Sequence, residues 1–215
     1  MIDSAAAFER VAAFGGADLT KNLAKLEASL INSRISSNDE LTTARTSMAE
    51  TLSAARKVRH LVGQVNVIIH ALGILQCLPS ILDEDEVIQY ASLGAGNTGK
   101  KFDLETDRRI AEFKFITWQG GSEAIRQNGI FKDFYLLAEH ETDKRKYLYL
   151  TDTVVPLRFL NGGRSIASVF SQHVKLKQEF FKRYPDQYKT VGEYVEARRN
   201  EVEVKDISAL LPAMD

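Results

Sequence analysis

The stretch LVGQVNVIIHALGILQCLPSIL, Leu61 to Leu82, constrains the fold more than any other part of the chain. It is long enough to span a bilayer and, on a helix, apolar nearly all round. Gln64, Asn66, His70 and Gln76 interrupt it, however, and such groups inside hydrocarbon are costly. The expectation is a soluble protein with no membrane span. Its most buried helix would run from about Val58 to Leu78, stop at Pro79 and lie against a sheet.

Composition sets few further bounds. A chain of 215 residues, 44% hydrophobic and 27% charged, suits one large domain or a core with a helical appendage. The net charge of -1 makes no global case for nucleic acid, so any such case must rest on local clusters. The single Cys77 excludes a disulfide framework and a cysteine-rich zinc site, and it suits a reducing compartment. The first residues lack a basic segment followed by a clean apolar core, so a signal peptide is not expected and the cytoplasm is the expected location.

The pattern divides the chain into an N-terminal helical cap over 1–57, an α/β core over 58–153 and a C-terminal helical extension over 154–215. In the cap, Asp3 can cap a short helix ending at Gly15-Gly16, and Asp18 a second with Leu19, Leu23, Leu26 and Leu30 on one face. A third runs from about Glu40 into Arg56-Lys57. After Val87 the period shortens to that of strands: VIQYASL, then KFDLE and IAEFKFITW as a hairpin turning at Thr106 to Arg109. A helix follows through EAIRQNGIFKDFYLLAEH, then a strand, RKYLYLTD. The extension reads as helices over Ser165 to Tyr184 and Thr190 to Glu203, with Thr190 and Glu193 forming a capping box.

Two chemistries compete within Ser92 to Trp118. Gly94, Gly99 and Lys100 have the spacing of a phosphate-binding loop, but such a loop needs Ser or Thr after the lysine and then a helix. Lys101 and a strand stand there instead. A nucleotide-binding loop is disfavoured, and a glycine-rich turn with exposed lysines accounts for the stretch.

The hairpin offers more. On a strand, Ile110, Glu112, Lys114 and Ile116 share one face while Phe113 and Phe115 take the other. If the turn is centred at Asp107-Arg108, Asp103 comes opposite Glu112, about 5 Å away. Two carboxylates sharing one small volume call for a cation, and magnesium accepts one or two carboxylates while keeping several waters. Lys114 beside them could stabilise the charge that develops when a phosphodiester is cut.

FDLETDRRIAEFK, with Asp103, Glu112 and Lys114, resembles the PD-(D/E)xK nucleases of the restriction-endonuclease-like fold. The order helix, three-strand meander, helix, strand is also that of their core. The resemblance implies a divalent-metal-dependent nuclease using Mg2+ or Mn2+, with DNA as the expected nucleic acid and a homodimer left open. Asp103 and Glu112 would bind metal, Lys114 would assist the attacking water, and Gln127 on the next helix would position water or phosphate. Glu105 is the reserve ligand if the register is shifted by two. Lys100, Lys101 and Arg126 could contact phosphates, as could Arg108, Arg109 and Lys132. Phe102 replaces the motif's proline, and the preceding helix has no clear glutamate, with Asn66 or His70 as substitutes. The alternative is a catalytically inactive nucleic-acid-binding or protein-interaction module that retains the fold.

Overall fold

The structure is a computed structural model that describes residues 3–18, 21, 39–94, 101–116, 118 and 123–212, without the side chains of 39–48. The chain forms two compact units, Met1–Asn66 and Val67–Asp215.

In the first unit, Asp3 accepts a hydrogen bond from the Ala5 amide at 3.1 Å and starts α1, Ser4–Gly15. Gly16, at φ 57°, returns its amide to the Ala12 carbonyl and ends it. Positive φ is a conformation that glycine adopts without penalty. Arg10 and Glu50 form an ion pair. Asp18 accepts from the Lys21 amide at 3.0 Å, but the leucine-striped segment expected after it lies outside the described residues.

α2, Asp39–Ile81, is one helix where two were expected. It also runs through Pro79, because a proline near a helix C-terminus forfeits a single bond and its fixed φ already suits the helix. Nor is α2 the most buried element: Ala54, Ile74 and Cys77 are buried, while Val62, Val65, Ile68, Ile69, Leu72 and Leu75 are exposed. By length and composition alone, Ala49–Ile81 could cross a membrane.

The second unit is built on a five-stranded mixed sheet in the order β1 (Ile88–Ala91), β2 (Leu104–Thr106), β3 (Arg109–Lys114), β4 (Arg145–Leu150), β5 (Glu203–Asp206). The first three strands form an antiparallel meander. β4 then lies parallel to β3, and β5 parallel to β4. A parallel neighbour requires a crossover, which α3, Glu123–Ala138, provides between β3 and β4. Four shorter helices follow: α4 (Val154–Leu160), α5 (Ile166–Val169), α6 (Val174–Arg183) and α7 (Val191–Arg198).

Strand alternation divides the buried side chains between two layers. Ile110, Leu148 and Leu150 join Ile130, Phe131 and Phe134 of α3 and an aromatic group including Phe170, Phe180 and Tyr194. Ala111, Phe113, Tyr147 and Tyr149 join Ile74 and Cys77 of α2. The C-terminal stretch is thus part of the core, and it contributes a fifth strand where helix was expected.

Thr106 fixes the β2–β3 turn by accepting from the amides of Arg108 at 3.0 Å and Arg109 at 2.8 Å. The register is the one expected for a turn at Asp107-Arg108, with Leu104 opposite Ala111 and Glu105 opposite Ile110.

Thr190 and Glu193 form the expected capping box at the start of α7. There the Gly192 amide donates to the Gly162 carbonyl at 2.9 Å. A Cβ on Gly192 would stand 3.0 Å from that oxygen and 3.1 Å from the Asn161 backbone. Backbone cannot give way as a flexible side chain can, so Gly192→Ala should lose about 1–3 kcal/mol in chemical denaturation.

Candidate active site

Asp103 stands one residue before β2, its amide donating to the Ala111 carbonyl at 3.1 Å, and the paired positions of β2 and β3 begin at Leu104 and Ala111. The Asp103 Oδ2 accepts the Phe113 amide hydrogen at 3.0 Å, and its Oδ1 lies 3.3 Å from Nε2 of His70 on α2. This contact holds the His70 imidazole above its usual pKa: the hydrogen bond to Asp103 outweighs burial, which acts the other way.

Glu112 and Lys114 share the face of β3 that Ile110 takes, and the Lys114 Nζ is 3.0 Å from Glu112 Oε1. The same ammonium is 2.9 Å from Oδ2 of Asp133 on α3, whose side chain is only 6% exposed. Lys132 approaches the other Asp133 oxygen at 3.5 Å. Lys114 therefore sits between two carboxylates. Burial alone would favour its neutral form, but Asp133 and then Glu112 outweigh that and keep it charged.

Glu112 feels the reverse balance. Burial pushes its pKa well above the carboxylate range, and Lys114 offsets this only in part because Asp133 and Asp103 add negative charge nearby. Asp133 and Asp103 thus oppose charge on Glu112 even with the Lys114 and Lys132 ammoniums nearby, a cost relieved by protonating Glu112 or by admitting a cation.

Compared with family models, curated proteins and solved structures, the chain matches none. What the cluster does must be argued from its own chemistry.

Among the described residues, no group of three or more His, Cys, Asp or Glu side chains gathers closely enough to hold a metal ion. The donor type nevertheless fits magnesium, which needs only one or two carboxylate oxygens and fills its other positions with water and substrate. Asp103 lies just before β2 and Glu112 on β3, and the Asp103 charge raises the cost of ionising Glu112.

The other expected site residues are distributed unevenly. Gln127, on α3, accepts through Oε1 from Arg164 Nη1 at 2.8 Å. Glu105 is held by Lys144 Nζ at 2.9 Å, and with the register unshifted its reserve role does not arise. Lys101 is exposed and Arg126 half-buried, while Lys100 lies outside the described residues. Arg109 is not available to a phosphate, because its buried guanidinium pairs with Glu86 on the far side of β3. Arg108 donates to the Glu84 carbonyl at 3.0 Å.

Asp133 was not singled out from the sequence. Its signal was there, since it stands three residues after Ile130 and four before Leu137 on the buried stripe of α3. A charged residue on an apolar stripe is a more informative observation than the stripe itself.

Proposed function

We propose that this chain is a cytoplasmic, divalent-metal-dependent nuclease that hydrolyses phosphodiester bonds of DNA, built on a restriction-endonuclease-like core. The observation that carries it is the charged cluster on β3, in which Lys114 Nζ lies 3.0 Å from Glu112 Oε1 and the Asp103 charge is near enough to oppose ionisation of Glu112. The surrounding order supports it: helix, antiparallel three-strand meander, crossover helix, parallel strand.

Asp103 and Glu112 would hold Mg2+ or Mn2+, which when bound supplies a polarised phosphoryl oxygen and an acidified water. His70 orients Asp103 from α2. Asp133 fixes the Lys114 ammonium beside Glu112. Because its carboxylate neighbours keep Lys114 protonated, its part is electrostatic: it stabilises charge growing on the phosphoryl oxygens and does not take up a proton.

One observation favours the second reading, a module that keeps the fold without the reaction. The Lys114 ammonium already occupies the space between Glu112 and Asp133, as a purely structural ion pair would. A cleavage assay separates the two. With single- and double-stranded DNA, magnesium or manganese should give products that EDTA abolishes, and Asp103→Asn should slow the reaction about 100-fold or more. DNA binding without cleavage in either metal would support the inactive module.

A further inference from the structure

The segment after α4, Asn161-Gly162-Gly163-Arg164-Ser165, is fastened to the start of α7 through its backbone. Gly192 donates to the Gly162 carbonyl at 2.9 Å, Val191 to the Arg164 carbonyl at 2.9 Å, and Ile166 to the Lys189 carbonyl at 3.1 Å. Ser165 and Thr190 form a β-bridge. The close approach of Gly192 leaves this backbone little room to shift.

From that anchored position Arg164 reaches Gln127, donating to its Oε1 at 2.8 Å, and its guanidinium lies 6.0 Å from the Phe159 ring. Neither partner is an anion. Arg108, Arg109, Arg145, Arg183, Arg198 and Arg199 each stand against a carboxylate. Among the described residues Arg164 has no such neutraliser, although it is half-buried and its backbone is held.

The hydrogen bond also sorts donors from acceptors. With Gln127 Oε1 accepting from Arg164, the amide keeps its Nε2 hydrogens to donate, and the guanidinium keeps its remaining N–H groups. The pair's single acceptor atom is already engaged by the guanidinium, and the donors that remain stand beside a full positive charge. A phosphate oxygen matches that surface, and an arginine fork suits phosphate geometry.

We propose that Arg164, oriented by Gln127, binds a backbone phosphate of the nucleic acid. The site draws its ligand class from the nuclease proposed above, but its test needs no catalysis. Binding of fluorescent single- and double-stranded DNA is followed by anisotropy in EDTA across a salt series. Arg164→Gln keeps a donor for Gln127 and loses the charge, so the slope of log K against log salt should fall by about 1, with a several-fold loss of affinity. Arg164→Lys should retain the slope, and Arg199→Gln, at an exposed pair with Glu196, should change neither quantity.

An unchanged slope in Arg164→Gln, an equal fall in Arg199→Gln, or no DNA binding by the wild type would each overturn the assignment. Circular dichroism of each variant ensures that lost binding is not lost folding. If Arg164→Gln behaves as expected but the wild type cuts no DNA in magnesium, the phosphate site stands and the hydrolytic activity falls.

Discussion

Glu86→Gln should destabilise the Val67–Asp215 unit by about 3–5 kcal/mol, the largest stability effect expected of any single substitution here. The Arg109 side chain is 3% exposed and the Glu86 side chain 0%. Two of the guanidinium nitrogens, Nε at 2.6 Å and Nη2, meet the Glu86 carboxylate, and Nη1 donates to the Ile81 carbonyl and to Tyr149 Oη at 3.2 Å. Thr106 donates to Glu86 at 2.5 Å, so the pair also braces the turn that sets the register of β2 on β3. Glutamine would leave a buried guanidinium facing a neutral amide, with Asp83, at 3.3 Å and largely exposed, as a weak substitute.

The pair also makes a pH prediction. Burial would raise the Glu86 pKa, but the hydrogen bonds from Arg109 and Thr106 outweigh it and bring the carboxyl down from 4.5 to about 2. A carboxylate depressed on folding contributes stability that is complete above its unfolded value and is lost as pH falls toward the folded one. Wild-type stability in urea should therefore decline between about pH 5 and pH 2. Glu86→Gln should be less stable at neutral pH and flatter across that window. Replacing both partners with apolar residues of similar size should recover much of the loss, because no unpaired charge remains. A glutamine variant as stable as the wild type, with the same acid profile, would show the pair to be dispensable.

The shared face of Glu112 and Lys114 and the pairing of Leu104 with Ala111 are legible in the sequence because a strand repeats every two residues and a tight turn fixes which residues face each other. Both rules are local, and the register follows them. Asp133 escaped because it meets Lys114 from another element, and helix periodicity marks the buried face without saying what a polar residue there will touch. β5 escaped for a similar reason. Its partner β4 lies more than fifty residues earlier, so nothing near Glu203 to Asp206 announces the pairing. The apolar run of α2 misleads for a different reason: hydropathy records what a side chain prefers, whereas Ile68, Leu72 and Leu75 remain exposed because no described element covers them.

Glu112→Gln and Lys114→Met should each cost about 1,000-fold in metal-dependent cleavage, yet move stability in opposite directions. Burial already disfavours the charged Glu112, so removing that charge relieves its repulsion with Asp133 and Asp103 and leaves Lys114 paired with Asp133 at 2.9 Å. The glutamine variant should melt at or above the wild-type temperature. Removing Lys114 does the reverse, taking the central cation from three carboxylates, of which Glu112 would answer by holding a proton more tightly. The methionine variant should melt lower, and the double variant should recover part of the difference without recovering cleavage. A side chain whose removal stabilises the fold while abolishing turnover is one that the fold carries for function. Were Glu112→Gln to destabilise as much as Lys114→Met, with DNA left uncut by every form, the cluster would be a structural ion pair and the nuclease proposal would fail.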